Sequence, residues 1–251
     1  MLEINKFRRS FTSLTAEWDW EVEGFIDKSG YVYPIDTDTK VISTVFERLA
    51  SPVVRKIAKE NSYVVETANQ TTYPDFTLTH LRSSHRIAID VKTTYTSNRM
   101  VLTLGGYNSF LRNDTKNILH PYSTYHDHWI LGFIYSQREA FQEYDLDNMP
   151  KVGQIPCPYK IEVVFVRHKH EIAGIKAGSG NTKNIGSIKA NLPRDFLLKN
   201  GPFMAFEQNR KACDYYWKGY ERPCQEIRSD LELIRHAEFQ QFRPPRAMTR
   251  T

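Results

Sequence analysis

The apolar positions along the chain change period several times, and each change marks an element. Tyr31–Ile35 alternates as a strand does, and from there Val41, Ile42, Val45, Phe46 and Leu49 recur at helical spacing. Asp38 or Thr39 can cap the helix that this spacing predicts. Pro52, with Ser51 before it as a cap, predicts a second short helix through Ile57 and Ala58. Three strand-like runs follow, Tyr63–Glu66, Asp75–Leu78 and Arg86–Thr94. A polar turn from Thr79 to His85 joins the last two, so a β-meander is expected. Trp129–Tyr135 and Ile161–Val166 are short apolar runs rich in β-branched and aromatic residues, as buried strands are. Ala212–Trp217 and Ile227–Phe239 return to helical spacing. The first thirty residues, with Trp18, Trp20 and Phe25 among mixed charges, fit helix or loop equally. The order predicts a mixed α/β fold, one central β-sheet flanked by helices, with no boundary between domains.

Composition adds a direction. With 251 residues, 40% of them hydrophobic, the chain can bury a sizeable core. Its 34 Lys and Arg exceed its 29 Asp and Glu by five. Between Lys160 and Lys199 stand eight bases (Lys160, Arg167, Lys169, Lys176, Lys183, Lys189, Arg194, Lys199) and three acids (Glu162, Glu171, Asp195), a surplus equal to the whole net charge. That concentration favours an anionic partner for this region. No run approaches the roughly 18 apolar residues of a membrane span. The first fifteen residues lack an apolar run ending in a small-residue cleavage site, so a cytoplasmic location is expected. Cys157, Cys213 and Cys224 are widely spaced and odd in number, which predicts free thiols and neither a disulfide framework nor a structural zinc site.

The candidate chemistry lies in Ile87-Ala-Ile-Asp-Val-Lys-Thr-Thr. Strand alternation turns Ile87, Ile89 and Val91 to one face and Ala88, Asp90 and Lys92 to the other. Pro74-Asp-Phe-Thr-Leu supplies a second carboxylate, Asp75, and a hairpin between the two runs brings both acids to one rim of the sheet. Paired carboxylates repel, and a hard divalent cation such as Mg²⁺ relieves the repulsion while keeping sites for water and phosphate oxygens. With Lys92 to orient a water or stabilise a pentacovalent transition state, the set suits phosphodiester hydrolysis. Glu47, off the apolar stripe of its helix, is a candidate further ligand. An exposed Asp–Lys ion pair is the plainer alternative.

Ala177-Gly-Ser-Gly-Asn-Thr-Lys-Asn-Ile-Gly-Ser sits at the centre of the basic region. It has neither the GxxxxGK[ST] form of a phosphate loop nor the glycine spacing of a dinucleotide fold. Glycines that expose backbone groups beside an Asn, which can bond adenine N6 and N7 together, suit a loop that reads base edges; a flexible hairpin tip is the alternative. His126-x-His128 and His168-x-His170 could each place two imidazoles on a strand face, but no acid or Cys stands at ligand spacing, and surface histidines are expected.

Six blocks in order carry a resemblance: Tyr33-Pro with Asp38–Glu47, then Tyr73–Leu78, Ile87–Thr96, Thr103–Tyr107, Asn113–Ile118 and Ala177–Ile188. Together they resemble a type II restriction endonuclease of the PD-(D/E)xK nuclease superfamily over about residues 31–190, with fainter similarity around 216–222. The resemblance implies a restriction-endonuclease-like core and a homodimer that binds double-stranded DNA. It also implies Mg²⁺-dependent cleavage of both strands of a palindrome, expected to be GATATC, at its centre, leaving blunt ends with 5′-phosphates. A cognate DNA methyltransferase follows as a functional partner. On the same resemblance, Asp75 and Asp90 are metal-binding acids, Lys92 is the active-site lysine and Glu47 an additional acid. Gly178, Ser179, Gly180, Asn181, Thr182, Lys183 and Asn184 match the loop that enters the major groove, and Asn69 and Gln70 a loop at the minor groove. Thr39, Lys40, Thr94 and Arg222 match positions near the DNA backbone or bases. The expected regions are a catalytic core over about 31–135, a recognition region over about 160–199 and a clamping region over about 200–251, all in one domain. Lys183 and Pro223 each stand where the resemblance expects threonine, and Asn69 where it expects glutamine. Two rivals stay open: a structure-specific repair nuclease of the same superfamily, and a sequence-specific DNA-binding protein without catalysis.

Overall fold

A computed structural model describes residues 1–69, 71–138, 144, 147–178, 183–220 and 227–243. In chain order the elements are α1 (Ile4–Leu14), β1 (Gly24–Ile26), β2 (Val32–Pro34), α2 (Thr39–Glu60), β3 (Tyr63–Thr67), β4 (Phe76–His80), β5 (Arg86–Tyr95), β6 (Thr103–Gly106), β7 (Tyr125–Gln137) and β8 (Tyr159–His168). They continue with α3 (Lys169–Ile172), β9 (Ala173–Ala177), β10 (Asn184–Ser187), α4 (Asp195–Leu198), α5 (Asn209–Gly219) and α6 (Asp230–Arg235).

The central sheet has five strands in the order β3-β4-β5-β7-β8. β3, β4 and β5 form the expected antiparallel meander, β5 and β7 run parallel, and β8 returns antiparallel to β7. The single central sheet expected from sequence is one of three among the described residues: β6, β10 and β9 form a second sheet, and β1 with β2 a small hairpin. The strands of the second sheet are only four or five residues long and hold glycines, so their apolar period is too short to read.

The two faces of the central sheet have different cores. On one face Ile87, Ile89 and Val91 pack with Ile42, Phe46, Val53, Val54 and Ile57 of α2 and with Phe7 and Phe11 of α1. On the other, Ala88, Ile130, Ile134 and Phe165 join Leu102, Leu104, Ile175 and Ile185 of the second sheet and Tyr216 and Trp217 of α5. Helices therefore cover one face, and a second sheet with the later helices covers the other.

The expected break at Pro52 does not occur: α2 is one helix of 22 residues with Pro52 inside it. Its buried stripe continues in phase through Ala50, Val53, Val54, Ile57 and Ala58, while Pro52 is exposed, so water can reach the carbonyl that loses its donor. Asp38 caps the helix as predicted, accepting from the amides of Lys40 and Val41. The undecided amino end contains a helix, α1, which buries Phe7 and Phe11. Ile227–Phe239, expected as one helix, is divided into α6 and a 3-10 turn over Ala237–Phe242. Among the described residues no helix is long and apolar enough to cross a membrane. Cys157 and Cys213 are buried free thiols, and Cys224 lies outside the described residues.

Candidate active site

The alternation of β5 holds along its length. With Ile89 and Val91 locked into one core, Asp90 and Lys92 face the other side, where Asp90 is 3% exposed and Lys92 half-buried. β4 pairs Phe76 with Ile89, so one further step of register sets Asp75 opposite Asp90. Asp75 stands just outside the strand, after a cis Tyr73–Pro74 peptide. Its Oδ2 accepts a 2.6 Å hydrogen bond from the amide of Val91.

Two acids and one lysine are thereby fixed from two adjacent strands. Lys92 Nζ lies 2.7 Å from Asp90 Oδ2 and donates to the carbonyl of Val91 at 3.2 Å. Apart from that ion pair no donor among the described residues reaches the buried Asp90 Oδ2. Burial and the neighbouring Asp90 push the Asp75 carboxyl up to about 7, against the pull of Lys92 and of the Val91 amide. Burial disfavours the Lys92 ammonium, but the charges of Asp90 and Asp75 outweigh it and hold its pKa above the usual lysine value. Paired carboxylates that raise the Asp75 pKa, and a buried Asp90 Oδ2 met only by the Lys92 ammonium among the described residues, make a site that favours further positive charge. The donor set, all carboxylate oxygen, fits a hard divalent ion.

Glu47 belongs to α2, on the far face of the sheet from Asp90 and Lys92. Its charge is felt at Asp75 and at Lys92, yet among the described residues no three His, Cys, Asp or Glu side chains gather into a metal cage. Thr94 continues the Asp90–Lys92 face toward the end of β5 and is half-buried. Thr39 and Lys40 begin α2 and are exposed. Asn69 is exposed, and its carbonyl accepts from the amide of Thr72, closing a turn just before Tyr73. Gln70, Ser179, Gly180, Asn181, Thr182 and Arg222 lie outside the described residues.

The ends of the candidate reading loop belong to the second sheet. Gly178 donates to the carbonyl of Asn184 at 2.9 Å, and Tyr107 to that of Lys183 at 2.9 Å. Asn184 pairs with Gly106 of the Thr103-Leu-Gly-Gly-Tyr block. At Gly178 a Cβ would meet Thr103 Cγ2 at 2.7 Å, so this base is built for close approach.

Structure also corrects the basic region. Arg167 and Lys169 are buried, Lys160 pairs with Glu162 at 3.7 Å and Lys199 with Asp195 at 2.9 Å. Lys176 and Lys189 remain exposed without an ion pair among the described residues, and with Arg99 they form a patch of like charge that lowers the Lys189 pKa, Arg99 most strongly. Arg99 is absent from the 160–199 segment; the antiparallel bridge between Met100 and Ala190 brings it there.

The histidines depart from expectation too. His128 is 4% exposed, with Nδ1 2.8 Å from the Tyr73 hydroxyl, and its pKa is lowered by burial and then by Arg210. His126 is exposed and His168 half-buried, while His170 belongs to α3, stacked on His168 at 5.1 Å. Reading a strand face from sequence misses the rings that pack on it from other segments: the Tyr73 hydroxyl meets His128, and Tyr122 stacks on it at 4.1 Å.

Comparison with known proteins places this arrangement. The family described as Restriction endonuclease EcoRV matches residues 16–243. The type II restriction enzyme EcoRV of Escherichia coli is 44% identical over 218 residues, which cover 84% of this chain and 86% of that protein. With the two acids, the lysine and the loop all inside the matched span, the chain belongs to the EcoRV family of type II restriction endonucleases.

Proposed function

We propose that the protein cleaves both strands of duplex DNA at a palindrome, GATATC, cutting centrally to leave blunt ends with 5′-phosphates. The observation that carries the reading is the meeting of Asp75, Asp90 and Lys92 on one rim, with the base of a glycine-bounded loop on the adjoining sheet. A divalent metal is the cofactor of this family, and we assign Mg²⁺ here. Asp75 and Asp90 are its ligands, with Glu47 in electrostatic support. When bound, the ion supplies charge neutralisation at the scissile phosphate and acidifies a water. Lys92, kept charged by the acids, donates to the attacking water or to a phosphoryl oxygen and stabilises the charge that grows there.

Gly178–Asn184 reads base edges in the major groove, and Asn69 with Gln70 approaches the minor groove. Thr39, Lys40, Thr94 and Arg222 contact the backbone or bases. Residues of about 31–135 form the catalytic core, 160–199 the recognition region and 200–251 the clamping region of one domain. A palindrome has two-fold symmetry, so the active species is a homodimer with one site per strand. A methyltransferase of the same specificity protects the host DNA.

Digestion of a plasmid of known sequence with Mg²⁺, followed by mapping of the ends, tests the whole reading. Discrete fragments ending blunt within GATATC are expected. Discrete cuts elsewhere would refute the site, and smearing or nicking confined to branched DNA would favour a repair nuclease.

A further inference from the structure

Behind the two acids lies a buried lysine that the proposed reaction does not use. Lys169, the first residue of α3, is 3% exposed, and among the described residues its Nζ has no hydrogen-bond acceptor. Three aromatic rings surround it instead, with Nζ 5.4 Å from the centre of Tyr73, 5.0 Å from Phe110 and 5.4 Å from Tyr122. These rings also hold one another: Tyr73 stacks on Phe110 at 4.3 Å, and Tyr122 stacks on His128 at 4.1 Å. The Tyr73 hydroxyl meets His128 Nδ1 at 2.8 Å, and the Tyr122 hydroxyl donates to Asp214 at 3.0 Å.

Such a cage is a poor choice if its purpose is only to fill space. A methionine has similar length and no charge to desolvate, whereas a buried ammonium without an acceptor is costly even against three ring faces. Burial lowers the Lys169 pKa, and the nearby Asp214, Cys213 and Asp90 oppose that shift while Lys92 adds to it. The geometry explains what the charge can do. Tyr73 precedes Pro74 and Asp75 directly, and the same ring lies under the ammonium, stacks on Phe110 and carries the hydroxyl that meets His128.

We propose that Lys169 is a positioning residue: its caged ammonium clamps Tyr73, so holding Asp75 at the rim. The inference rests on the reading of Asp75 and Asp90 as the acids that act on DNA. It separates what Lys169 costs the fold from what it gives the reaction, because removing the charge relieves the first and loses the second.

The test compares wild type, Lys169→Met, Phe110→Leu and Asp90→Ala as full-length proteins. Lys169→Met is expected to melt at or above the wild-type temperature and to bind its DNA without metal as wild type does. It is expected to bind Mg²⁺ more weakly by titration calorimetry and to cleave about tenfold to a hundredfold more slowly in single turnovers, the scale that small misplacements of a reacting group produce. Phe110→Leu, which removes one ring face but no charge, is expected to slow cleavage in the same direction. Lys169→Met that cleaves and binds Mg²⁺ within twofold of wild type overturns the proposal. So does one that melts well below wild type or fails to fold, since the lysine would then serve the structure; Phe110→Leu with wild-type cleavage overturns the clamp. An inactive wild type, or an Asp90→Ala protein as active as wild type, refutes the reading of the acids instead.

Discussion

Asp75 is tied to Val91: a carboxylate oxygen at the start of one strand accepts the amide of the residue that separates Asp90 from Lys92. The bond takes one oxygen of Asp75 and leaves the other for a ligand, while fixing the acid against the strand that carries its two partners. Crowding of the acids then becomes a measurable property of the metal-free protein.

Asp75 has a carboxyl pKa raised to about 7 from an ordinary 3.8. A folded-state pKa above the unfolded one means that the fold binds a proton the unfolded chain has released, so this group's contribution is complete below about pH 4 and lost as pH rises through 7. In EDTA the melting temperature of wild type is therefore expected to fall from pH 5 to pH 8, and that of Asp75→Asn to fall less. Equal declines in thermal scans would contradict the raised pKa.

Lys92 and Asp90 make the closest charge contact in the site, at 2.7 Å. Asp90→Ala is expected to abolish Mg²⁺-dependent cleavage, and Lys92→Ala to slow it by about 10²-fold to 10³-fold, as loss of one electrostatic stabiliser does. Both variants keep specific DNA binding in the absence of metal, measurable by gel shift. Loss of binding together with cleavage would mean that the residues hold the fold and not the reaction.

Gly132 pairs in register with Lys92 on one side and Phe165 on the other. A Cβ there would sit 2.1 Å from the Phe165 ring, so Gly132→Ala must displace that ring from the core that supports the active-site face. A loss of about 1–3 kcal/mol is expected from such overpacking, read by denaturant unfolding. A neutral result would show that Phe165 moves freely.

Arg99, Lys176 and Lys189 share a surface with no acid in ion-pair contact among the described residues. If this surface follows the DNA backbone, each charge neutralises a phosphate. The slope of log affinity against log salt should then flatten by about 0.9 for each replacement by Gln. An unchanged slope in the triple variant would place the DNA elsewhere.

The meander and the acids were legible because their signals are local. A two-residue period puts Asp90 and Lys92 on one face, and a hairpin sets Asp75 against them. What escaped depends on contacts distant in sequence. Pro52 reads as a helix start until the stripe that continues beyond it is seen to bury against the sheet. His128 reads as a surface histidine until Tyr73 and Tyr122, from other segments of the chain, are packed on it. Lys169 counts toward a basic surface from composition alone, yet it ends inside a ring of aromatics drawn from three separate segments. Arg99 joins that surface only through a bridge between residues ninety apart.

The 2.9 Å bond between the Gly178 amide and the Asn184 carbonyl joins two backbone atoms. No side chain of the intervening residues takes part in it, so their identities can change while the bond stays. On the proposed reading, the sequence that is recognised can therefore drift or be redesigned through this short insert without touching Asp75, Asp90 and Lys92, which are rooted in another sheet.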